Sequence, residues 1–159
     1  MDIFENAILR YVASDRSTLV IPQYDIRQHG SDEAWASFDV VGIHVRRKRI
    51  YIIEVTSASN SRGLFKKIEG MFRPGEHVEK LGQQLHNDYE GQYDSWPIHV
   101  AVFVRDAERK RFEGFAAAAK LTERVHVFTI EECIFPWKYW DRVTGTGKSW
   151  DTPSTPSGE

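Results

Sequence analysis

Residues 39–56 read Asp-Val-Val-Gly-Ile-His-Val-Arg-Arg-Lys-Arg-Ile-Tyr-Ile-Ile-Glu-Val-Thr, and how this stretch pairs with itself decides the fold. Residues 34–45 and 49–56 are rich in β-branched and aromatic side chains and predict two strands. The charged run Arg46–Arg49 between them predicts a tight turn, so the two strands form a hairpin. With the turn centred near Arg47 and Lys48, Asp39 and Glu54 fall almost opposite each other, on one face of the sheet. A carboxylate inside an apolar strand is costly unless it is paired, hydrogen-bonded or metal-bound. Two on one face repel unless a cation or a proton lies between them. Hard divalent ions, Mg2+ or Mn2+, are bound by such carboxylates together with water. A plainer reading stands beside this one: Asp39 lies at a bulge and Glu54 pairs with an arginine such as Arg62.

Outward from this hairpin, residues 2–13 predict an amphipathic helix with Ile3, Phe4, Ala7, Ile8, Tyr11 and Val12 on one face. Thr18 to Arg27 predicts a strand, and Pro22 inside it favours a sheet edge. Residues 28–33 form a loop by composition, and 57–61 lead into a helix carrying Leu64, Phe65, Ile68, Met71 and Phe72. Arg73-Pro74-Gly75 breaks that helix, and a second follows with Val78, Leu81, Leu85 and Tyr89. Residues 97–104 predict a strand buried on both faces, 106–121 a helix striped by Phe112, Phe115, Ala116 and Ala119, and 124–130 a last strand. The class is α/β, a mixed sheet with helices on both faces. Residues 1–135 are expected to form a single domain. Residues 136–159 form an aromatic, then Gly/Ser/Pro-rich tail whose last dozen or so residues are loose.

Bulk composition narrows the function classes. A chain of 159 residues suits one core. One cysteine, Cys133, excludes an internal disulfide and a multi-cysteine zinc site, and fits a reducing, cytoplasmic setting. No apolar run reaches the ~18 residues of a membrane span, and the acidic N-terminal stretch does not read as a secretory leader. A net charge of −2 argues against binding polyanions through a general positive field, leaving room for local basic patches.

Asp39, the hairpin, and Glu54-Val55-Thr56 at the end of an apolar strand resemble the motif of the PD-(D/E)XK phosphodiesterase superfamily. The order of elements over residues 2–104 is similar to the αβββαβ core of its restriction-endonuclease-like fold. The resemblance implies a metal-dependent nuclease in which Asp39 and Glu54 ligate Mg2+ or Mn2+. It also implies an acid on the first helix, here Glu5, that adds to the metal shell. The substrate it implies is nucleic acid, DNA foremost, and a homodimer is a common arrangement. Phe38 replaces the motif proline, and Thr56 replaces the motif lysine that positions the attacking water. Threonine brings a hydroxyl without charge, so it orients water only. Lys66 and Lys67 on the following helix are the candidates to supply the missing cation. Gln84, flanking the buried face of the next helix, occupies the place of a glutamine found in some nucleases. The alternative function is an inactive member of the same fold that binds nucleic acid or protein.

Other signals fall away. Gly145-Thr-Gly-Lys-Ser149 lacks the first glycine of a phosphate loop. Cys133 beside Glu131 and Glu132 makes a poor nucleophile. Arg46–Arg49 serves equally as a phosphate-touching tip or as turn protection. Trp137, Tyr139 and Trp140 read as a lid on the core, and His77 and His86 as surface or capped histidines.

Overall fold

Five consecutive residues of β3 (Arg49–Val55), Ile50 to Glu54, are buried, and every residue of β4 (Ile98–Val104) is buried. Strands of this kind need cover on both faces, and the computed structural model, which describes residues 2–27, 32–134 and 149–151, supplies it. One five-stranded sheet runs in the order β1 (Thr18–Arg27), β2 (Ala34–His44), β3, β4, β5 (Val125–Thr129). The β1–β2 and β2–β3 pairs are antiparallel, and β3–β4 and β4–β5 are parallel. The sheet is therefore mixed, with the expected αβββαβ order. β1, with Pro22, lies at an edge as its sequence indicates.

Alternation along the strands splits the interior in two. Ile50 and Ile52, with Val100, Val102 and Val125, pack with Phe65, Ile68 and Met71 of α2 (Arg62–Met71), Leu81 and Leu85 of α3 (His77–Asp88), and Phe112 of α4 (Arg109–Ala118). Tyr51, Ile53, Ala101 and Phe103 pack with Ile8, Tyr11 and Val12 of α1 (Ile3–Ala13) and with Ile130 and Cys133 of α5 (Ile130–Ile134). Parallel pairing of β3 with β4 requires a long crossover, which α2 and α3 provide. The segment read as one helix over 106–121 is a 3-10 turn, Asp106–Glu108, followed by α4. Helix α5 lies where the sequence suggested only the end of a strand.

The largest departure concerns the C-terminal stretch expected to be loose. Trp150 is 1% exposed and completes the α1-side core, packing edge-on against Tyr51 and beside Phe103 and Phe128. Its indole N–H donates to Thr18 Oγ1 at 2.9 Å. Asp151 accepts from the Tyr51 hydroxyl at 2.9 Å and pairs with Arg47 at 2.8 Å. The Ser149 hydroxyl donates to Asp15 and lies 2.7 Å from His44 Nε2. Burial alone would raise the Asp15 carboxyl, but hydrogen bonds from Ser149 and from the Ser17 and Trp150 amides hold it below its ordinary value, with help from His44. An aromatic side chain and a satisfied polar network thus fasten this segment to the body. Trp137, Tyr139, Trp140 and residues 145–148 lie outside the described residues.

Removing the indole would leave a large cavity under the sheet. Trp150→Ala is expected to lower the unfolding free energy by about 3–5 kcal/mol, measured by urea denaturation. An unchanged midpoint would show that the segment contributes nothing.

Candidate functional site

The β2–β3 register runs from His44 opposite Arg49 to Val40 opposite Ile53, so Asp39 and Glu54 are the next positions, as the sequence reading expected. They nevertheless differ in burial: Glu54 is 5% exposed and Asp39 is exposed. The cause is a switch of faces in the β1–β2 ribbon. Val40 packs in the α1-side core but Phe38, two residues earlier, packs in the α2-side core. On β1, Val20 packs with the α1-side core, whereas Ile21, Tyr24 and Ile26 pack with the other. Between Pro22–Val40 and Tyr24–Phe38 stand Gln23, with φ of 50°, and Asp39. Asp39 sits at the crossover, turned out to the rim.

Glu54 continues the period of Ile50 and Ile52 and meets α2. Lys67 Nζ lies 3.1 and 3.0 Å from its two carboxylate oxygens. The partner is neither Arg62 nor Lys66. Consecutive helical residues lie about 100° apart, so only one of Lys66 and Lys67 can face the strand, and it is Lys67 whose Nζ reaches Glu54. The helix phase carried this signal. Lys67 stands three residues after Leu64 and four before Met71, within the apolar stripe.

Burial raises the Glu54 carboxyl above its ordinary value. Lys67 opposes this through charge and hydrogen bonds, while Asp39 and Glu5 reinforce it. Three carboxylates and one ammonium therefore share a neighbourhood at the C-terminal end of β3, the end at which open α/β sheets bind ligands. Glu5 reaches it as a charge. Its Oε2 accepts the Asp2 N–H at 2.9 Å, while Asp2 Oδ1 accepts the Phe4 and Glu5 amides. This is a capping box, legible in the spacing Asp2-x-x-Glu5. Among the described residues, no three His, Cys, Asp or Glu side chains converge as a metal-ligand group.

The other expected members stand apart. Thr56 extends the β3–β4 ladder through its N–H to Phe103 O at 2.9 Å, and its hydroxyl accepts the Ala58 N–H at 3.2 Å. Gln84 is not seen at the site. Its amide oxygen accepts the Arg27 N–H at 3.2 Å and its NH2 donates to Asp88 at 2.9 Å, tying α3 to β1. The basic tip Arg46–Arg49 lies at the far end of β3, roughly 16 Å of strand from Glu54. His86 pairs with Asp94 at 2.8 Å. His77, by contrast, approaches the site: its ring lies 6.0 Å from Phe38, and its imidazole is lowered by burial and by the charge of Lys67, against an opposing effect of Glu76.

No family model matches the chain, and no curated protein or solved structure matches it. Among the described residues no helix is long and apolar enough to cross a membrane.

The raised Glu54 carboxyl has a stability consequence. The folded state holds that proton to higher pH than the unfolded chain. The resulting stability is complete below the ordinary value of 4.5 and is lost as pH rises through the raised one. Glu54→Gln is therefore expected to unfold at higher urea than wild type at pH 7, with the gap closing toward pH 4. A variant less stable than wild type at pH 7 would show that the Lys67 pair outweighs burial.

Proposed function

We propose that the protein is a metal-dependent phosphodiesterase that hydrolyses nucleic acid, with Asp39 and Glu54 as the ligands of Mg2+ or Mn2+. The observation that supports this most is Lys67 on Glu54. The cation that the strand lacks at Thr56 is supplied from the following helix, beside the same carboxylate. The donor chemistry fits a hard ion. Mg2+ is commonly held by one or two carboxylates and keeps several waters, so one acid exposed at the rim and one buried beside it suffice without a third. A second cation would also offset the electrostatic cost of placing Glu54 near Asp39 and Glu5.

When bound, such an ion lowers the pKa of a coordinated water and stabilises charge on the phosphate. The chain's own residues divide the remaining work. Asp39, exposed at the crossover, offers the accessible carboxylate. Glu54 offers a fixed one, held by the sheet on one side and α2 on the other. Lys67, with a side chain 53% exposed, is free to exchange its carboxylate partner for a phosphate oxygen or the attacking water. Glu5 keeps the neighbourhood negative in the absence of substrate.

The same contact also supports an inert reading, in which Lys67 neutralises Glu54 and the pair is purely structural. The two readings diverge in one experiment. Cleavage of labelled single-stranded DNA, duplex DNA and RNA is measured in Mg2+ and in Mn2+ for wild type, Asp39→Asn, Glu54→Gln and Lys67→Ala. The proposal expects metal-dependent cleavage that falls on the order of 100-fold or more in each variant. Equal cleavage by all four proteins, or none by wild type with any substrate, would overturn it.

A further inference from the structure

The β1–β2 register contains one irregularity: Ile26 opposes Ala36, but Arg27 opposes Ala34. Trp35 is the residue skipped. A bulged residue leaves the ladder and its side chain is re-aimed, and here the indole is turned onto α3. Its ring lies 4.8 Å from the His77 ring and 4.6 Å from Lys80 Nζ. Even so, Trp35 stays 37% exposed, one of four large apolar side chains so exposed among the described residues. This indole is linked to the candidate site through His77. His77 packs against both Trp35 and Phe38, the residue before Asp39. His77 also feels the charge of Lys67, which holds Glu54.

We infer that Trp35 is a stacking platform for an unpaired nucleobase beside the phosphate addressed by Asp39 and Glu54, and that the substrate is single-stranded there. This rests on the phosphodiesterase reading above. An exposed indole with an ammonium over its ring offers the two things a single strand presents side by side, a π face and a phosphate. In a duplex the base faces are covered by their neighbours, so a platform of this kind engages only bases out of the stack. Lys80, on a flexible four-carbon stem, can yield the ring to a base and carry its charge to the adjoining phosphate. The slightly acidic chain points the same way: with a net charge of −2, recognition depends on a few local contacts rather than on a broad positive field.

Binding is measured separately from cleavage, by fluorescence anisotropy in EDTA, with labelled single-stranded and duplex oligonucleotides of one sequence. Single strands are expected to bind more tightly than duplex. Trp35→Ala is expected to weaken single-strand binding on the order of tenfold, and Trp35→Phe to retain most of it. Lys80→Ala, which keeps the indole, is expected to weaken binding and to reduce the salt dependence by about one phosphate contact. Tighter binding of duplex, or undiminished single-strand binding by Trp35→Ala and Lys80→Ala, would overturn the inference. It can fail alone: unaltered binding by these variants alongside carboxylate-dependent cleavage leaves the phosphodiesterase reading standing. Conversely, a tenfold loss in Trp35→Ala with no cleavage by wild type supports a single-strand surface without hydrolysis.

Discussion

A carboxylate at the end of a strand buried on both faces must find a cation or keep a proton, and much of this molecule's organisation around β3 follows from that requirement. Glu54 has Ile53 and Val55 beside it along the chain and α2 above it, so no solvent stabilises its charge. Lys67 meets the need with both carboxylate oxygens in reach. The contact agrees with how α2 is turned about its own axis: Phe65, Ile68 and Met71 are directed into the core and Lys67, on the flank of the same face, toward the strand. A charge pair of this kind is weak evidence for stability. Its two partners differ in exposure: the lysine side chain is half-exposed and the carboxylate is buried.

The β1–β2 ribbon contributes a different constraint. A regular antiparallel pair would place Asp39 on the same face as Glu54, and both would be buried. The switch at Gln23 and Asp39 moves Phe38, Tyr24 and Ile26 to the α2-side core and leaves Asp39 at the rim. The second irregularity, at Trp35, lies four residues upstream on the same strand. Two departures from ideal pairing thus stand on either side of Phe38, and each re-aims one side chain. Such irregularities concentrate near functional positions because they re-aim side chains that a regular ladder would bury.

The fold was largely legible because periodicity and burial agree wherever an element spans a whole layer. The uninterrupted apolar runs at 50–53 and 100–104 require two-sided cover, and the hairpin register followed from the charged turn. What sequence did not show was the face switch, since Phe38, Val40 and Val41 are all apolar and alternation cannot tell which face each takes. The site was half legible. Asp39 and Glu54 stood out as charges in apolar strands, and the stripe Leu64, Ile68, Met71 would have selected Lys67 over Lys66. His77 and Trp35 carried no such mark, because their meaning comes from contacts between β2 and α3. Ser149 to Asp151 departs from expectation for a compositional reason: the polar, Gly/Ser/Thr/Pro-rich surroundings of Trp150 mask the hydrophobic area that buries it.

That last segment bears on the order in which the molecule is assembled. Trp150 reaches back to Thr18, Tyr51 and Phe103, and Asp151 to Arg47 and Tyr51. Among the described residues, the α2-side core draws on residues between Ile21 and Val127 and is complete once β5 has formed. The α1-side core lacks its largest side chain until residue 150 has left the ribosome. During synthesis the two faces of one sheet therefore mature at different times. The contacts that close the second face span up to 132 residues, the kind that topology makes slow. A nascent chain stalled short of Trp150 would carry a finished layer on one side and an open apolar surface on the other.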